Sequence, residues 1–159
     1  MMVSGPASLW REFARRARSA GALARALEDI WTLSRMLGWA FVLPILKRTI
    51  PLATLARIMW SRPWAGSSHP ERQRRIAALA GLIYSRYNLQ SHCLERSLLL
   101  YRFLSKAAAE PQLVVGVVKT GEGWQGHAWV VVDGLPFGES SDALRKFYHV
   151  VVFSAGSLS

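Results

Sequence analysis

The sequence predicts an α+β protein: helices fill roughly its first two thirds, and an antiparallel sheet packs against the last long helix. Three observations carry this reading. Apolar residues recur at helical spacing from residue 8 to about residue 109. Strand-forming runs broken by Gly-containing turns then occupy residues 113–153. Hydrophobic content of 51% over 159 residues is enough for a real core and argues against disorder.

Taken in order, residues 1–7 read as a loose terminus. A helix is expected from residue 8, with Trp10, Phe13, Ala14 and Ala17 on one side and Arg11, Arg15, Arg16 and Arg18 around the other. Gly21 is a candidate interruption. A second helix is expected over residues 22–42, carrying Leu23, Leu27, Ile30, Trp31, Leu33 and Leu37, with Pro44 ending or kinking it. A third is expected over residues 51–60, with Leu52, Leu55, Ala56 and Met59. Pro63, Gly66, Ser67 and Ser68 mark a turn-rich joint, and Ser68 with Glu71 fits a capping box. The helix that follows, to about residue 87, turns Ile76, Leu79, Ala80, Ile83 and Tyr84 inward.

The next helix should start at Ser91 or His92 and carry Leu94, Leu98, Tyr101 and Leu104, ending near residue 109 before Glu110-Pro111. Strands are expected over residues 113–119, 124–132, 135–139 and 146–153, and the tail from Ser154 reads as disordered. The domain reading is a basic helical region over 1–62, a core over 63–153 and a tail over 154–159, together one compact domain. There are no internal repeats.

Charge is unevenly spread. Residues 1–90 carry 14 Lys/Arg against 4 Asp/Glu, a net of +10, whereas residues 91–159 carry 6 of each and net zero. Such an excess suits nucleic acid, an anionic membrane face or an acidic protein partner, or it is simply a solvated surface. Residues 36–46 are an uncharged run of 11 between Arg35 and Lys47. A spanning helix needs about 20 mostly apolar residues, so this run, with Pro44 in it, reads as too short. No signal peptide is expected. A single cysteine excludes an internal disulfide and suits a reducing cytoplasm.

That cysteine, Cys93, falls in the first turn of its expected helix. Unpaired N–H groups and the positive end of the helix dipole favour an anion there, lowering a thiol's pKa. Ser91 is the candidate N-cap, and Arg96 adds positive charge one turn on. A lone cysteine is commonly just a small buried hydrophobe. His127, at the start of an expected strand, changes the weighing, because a thiol and a later imidazole are the parts of an activated nucleophile.

An orienting acid is the third part. Asp133 is conspicuous but sits at the hairpin turn. Six residues of strand, about 20 Å at roughly 3.3 Å each, separate it from His127. A three-residue loop over 132–134 pairs Val131 with Leu135, and counting back brings Glu139 opposite His127. A two-residue Asp133-Gly134 loop would instead bring Ser140 there. Glu139 is therefore the first choice and Asp133 the runner-up.

Other chemistries are poorly served. His92, Cys93 and His127 do not supply four zinc ligands at recognisable spacing. His69 and His149 read as surface or structural. There is no Gly-rich phosphate loop and no Gly-x-Ser-x-Gly elbow, so neither a metal nor a cofactor is expected.

Cys93-Leu94-Glu95-Arg96-Ser97-Leu98 on a helix, a strand such as Leu113-Val114-Val115-Gly116-Val117, then His127-Ala128-Trp129-Val130 and Asp133-Gly134 resemble the leader-peptidase part of the lasso-peptide B protein. That family is a branch of the transglutaminase-like cysteine peptidases, and the likeness covers about residues 58–139. The resemblance implies a transglutaminase-like, papain-like core. It also implies a peptidase that removes the leader from a ribosomal precursor peptide. The partners it implies are that precursor, a separate leader-binding protein and an asparagine-synthetase-like cyclase. The family places an Asp twelve residues after its His, which is the position of Glu139. Two rivals stay open: another transglutaminase-like amidase or acyl transferase, and a non-enzymatic basic helical binding module. The expected location is cytoplasmic, with contact at the inner membrane face left open and nucleic acid not among the partners.

Overall fold

The computed structural model describes residues 6–62, 70–84, 92–107, 109–121 and 123–155, with side chains described from residue 22 onward. The chain divides into two compact units, Met1–Arg35 and Met36–Ser159. In the first, Leu23, Leu27, Ile30 and Trp31 are exposed. All of the following concerns the second, apart from the long helix α1, which belongs to both.

Helix α1 (Pro6–Thr49) is one helix where the sequence suggested two, with Gly21 and Pro44 inside it. A helical Gly costs about 1 kcal/mol and a Pro about 3 kcal/mol or more. Complete burial of Met36 and Leu43 works against that cost. At the far end the Thr49 hydroxyl donates to the carbonyls of Ile45 and Leu46. By length and composition Ala22–Thr49 is long and apolar enough to cross a bilayer, unlike the short run 36–46 taken alone. Met36 and Leu43, however, are part of the protein's own core.

Helix α2 (Leu52–Met59) buries Leu55, Ala56 and Met59. Helix α3 (Pro70–Tyr84) buries Ile76, Ala80 and Tyr84. The Ser68 capping box and the 85–87 end of this helix lie outside the described residues.

Helix α4 (Cys93–Lys106) is the centre of the core. Leu98, Leu99, Tyr101 and Leu104 are fully buried. None of its residues is exposed, because α2, α3 and the sheet all pack on it. The Arg102 guanidinium, 4.3 Å over the Trp39 ring, donates to Ile58 C=O. Lys47 Nζ of α1 lies 2.6 Å from Oε1 of Glu95, a carboxylate only 1% exposed.

The sheet contains β1 (Gln112–Thr120), β2 (Gly123–Val132), β3 (Leu135–Pro136) and β4 (Tyr148–Phe153), in the antiparallel order β3-β2-β1-β4. The fold class is α+β, as the sequence predicts. Leu113, Val130, Val132 and Phe153 face the main core. Val114 and Trp129 face the other way, where α5 (Ser141–Leu144) covers them with Leu144. Helix α5 is not among the expected elements, since four residues are too few to show a helical period. Residues 156–159 of the expected tail lie outside the described residues.

Two sheet details position the site. Strand β3 is two residues long, not five. The β2–β3 register is Val132↔Leu135 and Val131↔Pro136, closed by a two-residue loop. Asp133 (φ 52) and Gly134 (φ 77) both take positive φ, as a type I′ turn requires. The expected three-residue loop is therefore corrected. Gly116 lies under the indole of Trp129: a Cβ there would stand 2.9 Å from Trp129 Cη2 and 2.9 Å from the Tyr148 carbonyl oxygen.

Candidate active site

Cys93 opens α4, with His92 as N-cap. His92 makes no side-chain capping bond, and Ser91, the expected cap, lies outside the described residues. The first-turn N–H groups therefore have no side-chain acceptor from the N-cap residue. His92 Nδ1 instead lies 3.3 Å from Glu95 Oε1.

The short β3 explains how α4 meets the sheet. Beyond the Phe137 N–H bond to Val130 C=O, the outer edge of β2 has no strand beside it among the described residues. Ala128, two residues from Val130, faces the same edge. The first turn and a half of α4 satisfies it. The Ser97 hydroxyl donates to Ala128 C=O at 2.8 Å, and the Ala128 N–H donates to the Cys93 sulfur. The thiol is thus fixed against β2 one residue from His127.

His127 lies on the Trp129 face of β2. Its ring stacks on Phe147 (centroids 5.2 Å) and on Trp129 (5.9 Å). Trp129 occupies the space over Gly116, so the glycine indirectly sets the imidazole's platform. His149, exposed, meets the Trp129 ring edge-on at 5.2 Å. His69 lies outside the described residues.

His127 Nε2 is 2.7 Å from Glu139 Oε2, which leaves the other ring nitrogen free to serve the Cys93 thiol, whose pKa the ring lowers. Glu139 does not get there by the expected cross-strand pairing. The observed register, continued, would put Ser140 opposite His127. Instead the ladder stops at Pro136, and Gly138 (φ 76) turns the chain so that Glu139 reaches the ring. Arg96 Nη1 touches the other oxygen, Oε1, at 3.4 Å. Asp133 stands exposed at the hairpin tip, remote from the imidazole.

These contacts set the protonation states. Burial pushes the Cys93 thiol up. The His127 ring, the Ala128 and Leu94 N–H groups and the charge on His127 pull it down, and its pKa ends below the ordinary value. The bonds to Cys93 and Glu139 push His127 up to about 9, against the opposing effect of burial. Both shifts run towards a thiolate–imidazolium pair, relative to a free thiol and a free imidazole. Among the described residues no group of three or more His, Cys, Asp or Glu is placed to hold a metal.

An apolar groove of about 230 Å³, lined by Leu37, Ala40, Phe41, Pro44, Ile83, Tyr84 and His92, opens beside the residue preceding Cys93. Sequence reasoning picked out Cys93, His127 and Glu139 but gave no role to Ser97, Gly138, Trp129 or Phe147. A Gly one residue before the candidate acid was the one signal that could have pointed to the bend.

A helix-borne thiol, an imidazole on an antiparallel sheet and a carboxylate from the bend beyond it are the groups that acyl chemistry at a cysteine uses. The family model of the transglutaminase-like superfamily matches residues 33–152, and the chain belongs to that superfamily. Its members are typically cysteine-based enzymes of peptidase or acyltransferase type. No curated protein and no solved structure matches the chain.

Proposed function

We propose that this protein is a cysteine peptidase that removes the leader from a ribosomally made lasso-peptide precursor. The observation that carries the catalytic part is the 2.7 Å contact of His127 Nε2 with Glu139 Oε2, on an imidazole that also lowers the pKa of the Cys93 thiol. The substrate part rests on the likeness of the segments Cys93-Leu94-Glu95-Arg96 and His127-Ala128-Trp129-Val130 to the lasso leader peptidases.

In this reading the Cys93 thiolate attacks the scissile carbonyl carbon, forming a C–S bond. The carbonyl electron pair moves to oxygen, which accepts from the Cys93 backbone N–H at the helix start. The imidazolium of His127 gives its proton to the leaving amine as the C–N bond breaks. Water, deprotonated by His127, then displaces the thiolate from the acyl-enzyme. Glu139 holds the ring and stabilises its positive form. The partners proposed are a separate leader-binding protein, which presents the precursor, and an asparagine-synthetase-like cyclase, which takes the core peptide. The proposed location is the cytoplasm, with the basic N-terminal helix at the inner membrane face or on a partner.

A different acyl acceptor would make the same site an amidase or acyl transferase. A binding module with an idle cysteine would have no use for a lowered thiol pKa, and the bonds around Cys93 count against it. The test is cleavage of a cognate precursor in the presence of its leader-binding protein, read by mass spectrometry. Cys93→Ala should abolish leader release, and Cys93→Ser should nearly do so, because a hydroxyl is far less ionised than a thiol. Full cleavage by Cys93→Ala would end the peptidase reading.

A further inference from the structure

Glu139 is held at both oxygens, by His127 Nε2 on Oε2 and by Arg96 Nη1 on Oε1. Arg96 stands on α4 three residues after Cys93, so nucleophile and guanidinium share one turn and one face of a single helix. The pair is largely enclosed, with side-chain exposures of 21% for Arg96 and 19% for Glu139. The guanidinium also lies against the bend that delivers the acid: its Nη2 is 3.5 Å from where a Cβ on Gly138 would stand. Arg96 Nε is buried with no hydrogen-bond partner among the described residues.

We propose that Arg96 is a positioning residue for the candidate acid: it clamps the Glu139 carboxylate in the orientation that serves His127. The proposal rests on the reading of Cys93, His127 and Glu139 as a triad. A glutamate has one more rotatable bond than an aspartate and reaches the imidazole from a chain that has already left its strand. With one oxygen bonded, such a side chain still swings; the second bond removes that freedom. The clamp comes from the helix that carries the thiol. Acid, base and nucleophile are thereby referred to one rigid element, although the acid's own backbone is a three-residue bend.

The test reads the triad without substrate, as the rate of Cys93 alkylation by iodoacetamide at pH 6.5. Glu139→Gln should slow alkylation about tenfold, the equivalent of one pKa unit in the thiolate. Arg96→Met should slow it about threefold to tenfold, and Arg96→Lys should recover part of the loss. The double variant Arg96→Met with Glu139→Gln should be no slower than Glu139→Gln alone, because Arg96 acts only through the carboxylate. Arg96→Gln, neutral but still a planar donor, is run in parallel and substitutes in the cycle if Arg96→Met melts. Losses that multiply in the double variant, or single Arg96 variants that alkylate at the wild-type rate, would overturn the proposal. A protein that shows this coupling yet releases no leader would overturn the peptidase reading alone.

Discussion

Glu139 Oε2 lies 2.7 Å from His127 Nε2, although the β2–β3 ladder that leads towards it ends three residues earlier, at Pro136. Strand alternation alone would have carried Glu139 to the opposite face. What brings it back is one backbone angle, the φ of 76° at Gly138.

Gly138 is therefore a sensitive position. Gly138→Ala forces a side chain into left-handed backbone at a cost of about 1–2 kcal/mol. The bend should relax and draw Glu139 off the imidazole. We expect alkylation of Cys93 at pH 6.5 to slow several-fold while the melting temperature falls only a few degrees. Wild-type alkylation in Gly138→Ala would show that the bend does not deliver the acid.

The two carboxylates make opposite predictions. Glu139→Gln removes the charge facing His127 and should cut cleavage by at least an order of magnitude. Asp133→Asn should leave cleavage within about twofold and stability nearly unchanged, since Asn tolerates the left-handed angle at that turn as well as Asp does. The comparison is made in one precursor-cleavage assay, with melting curves as the control. Loss of activity in Asp133→Asn at unchanged stability would transfer the role to Asp133.

The shifted pKa values fix the expected pH dependence. Cys93 lies below its ordinary value and His127 rises to about 9. Alkylation should reach its plateau at a lower pH than it does for a free thiol. If His127 protonates the leaving amine as proposed, cleavage should fall on the alkaline side near pH 9, where the ring loses that proton. Because the folded pKa of His127 is raised, its stabilising contribution is complete below about 6.5 and is lost as pH rises through about 9. Melting curves of wild type and His127→Asn should differ most in the acid part of that range and converge above it.

The N-terminal arginines should matter for association and not for chemistry. Arg11, Arg15, Arg16 and Arg18 all fall on the first part of α1, within the half of the chain that carries the whole net charge of +10. Reversing the four to Glu should weaken binding to anionic vesicles or to the leader-binding protein. Cleavage of saturating substrate should change less than threefold. Unchanged binding in both pull-down and vesicle sedimentation would make this face a solvated surface.

Much of the site was legible in the sequence because it depends on strong local signals. Cys93 at a helix start and His127 on a strand follow from periodicity and turn residues within about ten positions of each. The hairpin was misread because Asp133-Gly134 allows two loop lengths, and one residue of difference swaps every face. Glu139 does stand beside His127, but not through the expected register; the bend at Gly138 brings it there. The unbroken α1 was hidden for a different reason. Local propensity penalises Gly21 and Pro44, whereas the burial of Met36 and Leu43 that works against Pro44 is a property of the folded core. Ser97 and Phe147 act across the sheet, through contacts that no spacing along the chain encodes.

The ion pair of Lys47 with Glu95 limits where the chain can be trimmed. Glu95 lies two residues from the thiol and is 1% exposed, and its Oε2 has no hydrogen-bond partner among the described residues. A fragment beginning after Lys47 would leave this buried carboxylate with His92 Nδ1, 3.3 Å from Oε1, in place of its lysine, at a cost of up to about 3–5 kcal/mol. That is a large share of a small domain's whole stability. The C-terminal part of α1 thus belongs to the smallest unit able to present a reactive Cys93, and limited proteolysis that preserves alkylation should leave residue 47 attached.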